Sequence, residues 1–274
     1  MIAESPPPMV LPLPVFAATA VEAPAVLPSP AATPSGPTVE DDRLRLCIEN
    51  AGKDPATSLA QASAWVAESR GAGRSKALEC LGQVQTVLAR WPAAAATFAE
   101  AAEAAGEPGR RGALLAQAGN AALAGNLPDQ ALVHFEAALA VAGLEPAARG
   151  QAQVDRGRAL VALDRASDAV EAFAAAQRDA PEELLGWLLG ATLARRRGDL
   201  AAAQRQIEVA GSLAPKDPDV GLEAGVIAML AGNEDAARKA WQSTMLVAPG
   251  SKAAETARGY LAQLGVAAPQ APGR

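Results

Sequence analysis

Aromatic residues make up only 3% of the 274 residues, and histidine occurs once, at His134. A single histidine excludes a histidine-built metal cluster and most hydrolytic triads. No phosphate-cradling loop of the G-x-x-x-x-G-K-S/T kind occurs, and Gly71-Ala72-Gly73 has no strand before it from which to build a dinucleotide fingerprint. Scattered carboxylates on a helical surface carry no catalytic pattern, so no enzyme and no cofactor are expected. Positive charge is in short supply: 24 Lys and Arg face 30 Asp and Glu, for a net charge of −6. That balance argues against a nucleic-acid partner, which needs concentrated positive charge. Nor does any apolar run approach the roughly 20 residues that cross a bilayer, so no transmembrane segment is expected.

What the chain has in quantity is alanine, which supplies much of a hydrophobic half. Alanine is the strongest helix former, and small side chains let helices approach closely without large aromatics between them. The exception is residues 1–39, with ten prolines and neither Lys nor Arg. Such a stretch reads as extended, disordered chain. Met9 to Ala18 is apolar and Ala18-Thr19-Ala20 resembles a cleavage site, but Glu4 replaces the usual positive charge and Pro12 and Pro14 interrupt the apolar run. The expected location is therefore the cytoplasm, or the periplasm or exterior if this segment is an atypical or mis-started signal.

Two short amphipathic helical patterns fill 217–250, parted by Ala231-Gly232-Asn233-Glu234 and stopped by Ala248-Pro249-Gly250. Neither could bury its apolar face alone, and near-copies lie upstream. A bulky residue recurs at Phe98, Phe135, Phe173, Ile207 and Trp241, at intervals of 37, 38, 34 and 34. Four residues before each stands an alanine: Ala94, Ala131, Ala169, Ala203 and Ala237. A small residue leads each bulky one in the preceding helix: Gly82, Gly119, Gly157, Ala191 and Gly225. Pro181, Pro215 and Pro249 end the last three copies. The second copy is the loosest, with Gly125 one residue early, which suggests a first helix displaced by one.

This pattern resembles the tetratricopeptide repeat, a helix pair of about 34 residues. The resemblance implies an all-α, right-handed superhelical solenoid of antiparallel helix pairs. Five units are expected at 75–108, 112–145, 150–183, 184–217 and 218–251, the extra residues of the first three lying in connections around Gly106-Glu107-Pro108-Gly109 and Gly143-Leu144-Glu145-Pro146. A helix pair at 40–74 reads as a degenerate repeat or cap, closed by Gly71-Ala72-Gly73. A helix over 252–264 covers the last apolar face, and 265–274 forms a disordered tail.

The resemblance also places a concave groove on the first helix of each pair, at the second, fifth, ninth and twelfth positions of each unit. It thereby nominates Gln83, Asn120, Arg158, Thr192 and Val226 as a mostly polar row, with Arg195 and the apolar Leu222 beside it. Asparagine can hold a peptide backbone and arginine a carboxylate. The implied function is a non-enzymatic scaffold holding a protein or extended peptide in the groove; the alternative is an assembly protein self-associating through its convex face or its ends. The lysine–asparagine clamp that some members use for a terminal carboxylate is incomplete, since Ala116 stands where the lysine belongs. Cys47 and Cys80 are either buried small hydrophobes or a disulfide between the N-terminal pair and the first unit, which would imply an oxidising compartment.

Overall fold

The computed structural model describes residues 38–266. The expectations for the Pro-rich segment and its cleavage site, and for residues 267–274, fall outside the described residues. Thirteen helices and no strand are found among the described residues. An N-terminal pair, α1 (Val39–Ala51) and α2 (Pro55–Glu68), precedes five further pairs: α3 (Gly71–Val87) with α4 (Trp91–Glu103), α5 (Pro108–Ala124) with α6 (Pro128–Ala140), α7 (Pro146–Ala162) with α8 (Ala166–Asp179), α9 (Leu184–Arg196) with α10 (Leu200–Leu213), and α11 (Pro218–Leu230) with α12 (Glu234–Val247). A single helix, α13 (Lys252–Val266), follows.

Local chemistry sets the ends of these helices. Thr38 and Asp41 form a reciprocal capping box on α1. Asp54, Asp199, Asp217 and Asn233 cap α2, α10, α11 and α12 by accepting backbone N–H groups. Within each of the five later pairs the turn is made the same way. One residue takes a left-handed conformation at the same place in every unit: Ala89, Asn126, Asp164, Gly198 and Gly232. The next residue's N–H then reaches back to a carbonyl of the helix just ended, as Arg90 does to Gln85 at 2.8 Å and Asn233 to Ala228 at 2.9 Å. This is the glycine-type stop that satisfies a helix's last carbonyls.

Helices α3, α5 and α7 begin four residues ahead of 75, 112 and 150. Helices α3, α5 and α7 have 17 residues where α9 and α11 have 13, so the extra residues form an added helical turn and not a longer loop. Gly106-Glu107-Pro108-Gly109 reads as a turn by composition. In the fold Glu107 accepts from the N–H groups of Gly109 and Arg110 while Pro108 takes the first helical position, so the motif starts a helix. Gly71-Ala72-Gly73 likewise opens α3 instead of closing α2. The added turn grips what precedes it: Arg74 donates to the Val66 carbonyl of α2 and Arg149 to the Leu139 carbonyl of α6. In the second unit the first helix keeps its register, since Gly119 still packs on Phe135.

Alanines at the helix contacts, the bulky residue of each unit and buried leucines such as Leu78, Leu114 and Leu160 make the core. Ala94, Ala131, Ala169, Ala203 and Ala237 are all fully buried, as is Phe135, and Phe98, Phe173, Ile207 and Trp241 nearly so. Tyr260 of α13 meets the Trp241 ring at 5.0 Å between centroids, and Leu261 and Leu264 pack on the same cluster. Helix α13 thus shields the apolar side of the last pair. At the other end Cys47 of α1 and Cys80 of α3 stand in disulfide geometry, Cα atoms 5.9 Å apart. Helix α1 accordingly packs more on α3 than on its own partner α2.

Candidate functional site

First helices of neighbouring units touch, α5 on α7, α7 on α9, and α9 on α11, whereas among the described residues the second helices α4, α6, α8 and α10 approach one another less closely. A stack whose members approach on one side and spread on the other curves toward the approaching side. The row α3, α5, α7, α9 and α11 therefore forms the concave face.

Of the residues nominated for that face, Asn120 is exposed near the end of α5. Gln83 lies beside it but is half-buried and donates to Gln117 across the unit boundary at 2.7 Å. With Thr86, Trp91, Ala121 and Ala124 these residues border a hollow of about 260 Å³, whose inner wall is Phe98. Arg158 is exposed, yet its Nη1 donates at 2.8 Å to Oδ1 of Asp155, a carboxylate almost fully buried on the same helix. Thr192 spends its hydroxyl proton on the Leu188 carbonyl one turn back. Arg195 pairs with Glu223 of α11, Nε to Oε1 at 2.6 Å, both side chains largely buried. Leu222 packs into the cluster around Trp241. Val226 lines a second hollow of about 240 Å³ with Met229, Leu230, Trp241, Tyr260 and Leu264. The row is therefore brought to one face but not into one site: Asn120 and Val226 border openings, and Arg195 is occupied within the fold.

No family model matches the chain, and no curated protein matches it in sequence. Solved structures do. PilW, described as a widely conserved type IV pilus biogenesis factor, matches at TM-score 0.64 and 17% identity, over 80% of this chain and 98% of its own. PilF of Pseudomonas aeruginosa matches at TM-score 0.63 and 14% identity, over 81% and 97%. YrrB, described as a tetratricopeptide-repeat protein with an unusual peptide-binding site, matches at TM-score 0.52 and 18% identity, over 67% and 91%. The chain folds as a tetratricopeptide-repeat solenoid. At these identities the likeness is one of fold.

Within this tetratricopeptide-repeat solenoid one row of contacts between units lies off the expected positions. Counting from 75, 112, 150, 184 and 218, the sixth position holds Cys80, Gln117, Asp155, Leu189 and Glu223. Cys80 reaches back to Cys47, Gln117 to Gln83 and Glu223 to Arg195, each in the preceding pair. Polar residues at Gln117, Asp155 and Glu223, each beside an apolar neighbour, were the available sign, because a half-buried polar group needs a partner. Val154 and Leu188, which stand at the fifth position of their units, are buried. His134 is half-buried on α6 beside Phe135, and burial lowers its pKa below 6.5. No group of three or more His, Cys, Asp or Glu that could hold a metal ion is found among the described residues. No described helix is long and apolar enough to cross a membrane.

Proposed function

We propose that the chain is a non-enzymatic interaction scaffold that receives an extended segment of a partner protein on the face formed by α3, α5, α7, α9 and α11. One observation carries this reading: the hollow at the first unit boundary, open to solvent and edged by the side-chain amides of Gln83, Gln117 and Asn120 with Trp91 alongside. Side-chain amides offer both a donor and an acceptor, which is what the backbone of an extended peptide needs. The peptide-binding site in the description of YrrB lends support by analogy of fold. Thr192, Arg195 and Leu222 would shape the face without touching the ligand, while Gln83, Asn120, Arg158 and Val226 would border it.

Asn120→Trp fills the hollow from its rim and should abolish partner capture from a lysate of the source cells, with helicity unchanged by circular dichroism. Asn120→Ala with Arg158→Ala should weaken capture. Equal capture by wild type and Asn120→Trp would sink the proposal. A second reading, self-association through the repeat ends, draws on Leu230, Leu246 and Val247, all exposed on α11 and α12, Leu246 to 83%. Sedimentation equilibrium decides it: a monomer at all concentrations rejects that reading.

A further inference from the structure

We infer that the segment received on the concave face is uncharged, bound through its backbone and apolar side chains with little ionic recognition. This rests on the reading of that face as a peptide-receiving surface, and it adds the chemical class of the ligand. The observation is how the face disposes of its own charges. Lys76 of α3 is bound by Asp41 at 2.7 Å and by the Thr38 hydroxyl at 3.0 Å. Glu79 is joined to Arg110 of the next unit, with both side chains mostly buried. Arg195 is joined to Glu223 by two of its nitrogens. Asp155 is buried and takes both Gln151, at 2.8 Å, and Arg158. Arg196 and Asp219 are exposed on α9 and α11 and line neither hollow.

Each such pair spends on the fold a charge that could have read a charged ligand. The Glu79–Arg110 and Arg195–Glu223 pairs, shielded on both sides, hold their geometry, since losing one partner strands the other in a low-dielectric site. What is left facing the hollows is neutral: the amides at Gln83, Gln117 and Asn120, and the apolar Val226, Met229, Leu230 and Tyr260. A charged side chain laid on such a surface loses hydration and finds no counter-charge, which costs binding energy. An alanine-, valine- or proline-rich segment has no charge to desolvate there. Arg158, whose side chain is 56% exposed, keeps free N–H groups for a peptide carbonyl, although its charge is already met by Asp155.

A random dodecapeptide library displayed on phage tests this on the full-length chain, with Asn120→Trp as the blocked control. Peptides enriched on wild type over the control should carry Asp, Glu, Lys and Arg at about half or less of their frequency in the unselected library. Enrichment of acidic or basic peptides overturns the inference while leaving the peptide-receiving reading intact. No enrichment over the control overturns that reading and the inference with it. Glu223→Gln supplies an internal check, since it frees the Arg195 charge. On that variant, acidic residues should rise about twofold or more among selected peptides. If its selection is indistinguishable from that of wild type, the paired charges do not set the ligand's chemistry and the inference fails. Circular dichroism of each variant, unchanged from wild type, confirms that the comparison is made on folded protein.

Discussion

Phe98 lies with its ring against Gly82, so close that a Cβ on Gly82 would stand 2.7 Å from Phe98 Cε1. Sixteen residues separate the two. The same contact recurs between Gly119 and Phe135, at 2.6 Å, between Gly157 and Phe173, at 2.5 Å, and between Gly225 and Trp241. The fourth unit departs at both places together: Ile207 replaces the aromatic and Ala191 replaces the glycine, and both are buried. Ring and glycine are thus one feature of packing. The flat ring lies where the methyl group would have been.

Gly119→Ala should therefore destabilise the fold by about 1–3 kcal/mol through overpacking, although alanine favours the helix by roughly 1 kcal/mol. Adding Phe135→Ile should return part of that loss, because the pair then matches Ala191 and Ile207. In a double-mutant cycle followed by urea unfolding, the double variant should be more stable than the sum of the single losses by at least about 0.5 kcal/mol. Additive losses would show that the two positions are independent.

Ala89 holds φ at 54°, where Asn126, Asp164, Gly198 and Gly232 stand in the other units. Of these residue types alanine suits the left-handed region least, at a cost of roughly 1–2 kcal/mol. Ala89→Gly removes that strain and should raise stability by up to about 1 kcal/mol, the gain being trimmed by the extra freedom of glycine in the unfolded chain. The converse, Gly198→Ala, should lower it by a similar amount. A fall in unfolding temperature for Ala89→Gly would contradict the account of the turn.

The helix pairs were legible in the sequence because the Gly82–Phe98 spacing recurs in every unit and depends only on contacts inside one pair. The added turns of α3, α5 and α7 were hidden. Glycine and proline at 106–109 have the composition of a loop, and only the Glu107 side chain, folded back onto two N–H groups, turns them into a helix start. The face was legible in part. Asn120 falls on it by position alone, whereas the fate of Arg195 depends on how near the next unit brings Glu223. That distance belongs to the stacking between units and to no single repeat.

The Cys47–Cys80 pairing is a proposal that thiol chemistry can settle. With the bond formed, native protein purified without reductant should take up no thiol label. Reduction should then release the loop between the cysteines and cost about 2–4 kcal/mol locally. Amide exchange should rise over α1 and α2 and stay unchanged over α7 to α12, since distant units of a solenoid share no contacts. Two labelled thiols in the unreduced native protein would refute the bond and leave the cysteines as packed apolar side chains.

Three exposed carboxylates couple the N-terminal half to acid. Asp41 is held well below its ordinary range by Lys76 and Thr38, Asp54 is lowered by Thr57, and Glu107 is lowered by the N–H groups of Arg110 and Gly109. A carboxylate whose folded pKa lies below its unfolded value stabilises the fold fully above the unfolded value, 3.8 for Asp and 4.5 for Glu, and loses that contribution as pH falls through the folded one. As far as these carboxylates go, unfolding temperature should hold from neutral pH to roughly pH 5 and fall below it. Glu107→Gln should lower the plateau and flatten part of the fall. His134 adds an earlier slope of the same sign: its lowered pKa means that the unfolded chain takes up the proton first as pH drops past 6.5. His134→Gln should remove the slope that begins below pH 6.5 while leaving the carboxylate fall in place.

Arg195 and Glu223 test whether a charge on the concave face serves the stack or a ligand. Their side chains are 20% and 12% exposed, and the pair bridges α9 to α11. If its role is to fasten neighbouring units, Glu223→Gln strands the guanidinium and should cost about 1.5–3 kcal/mol. Arg195→Met with Glu223→Leu removes both charges and should cost far less than the two single changes together, because an apolar pair of similar volume needs no desolvation. A ligand-reading arginine predicts the opposite pattern: small effects on urea unfolding for every variant, and loss of partner capture with Arg195→Met alone.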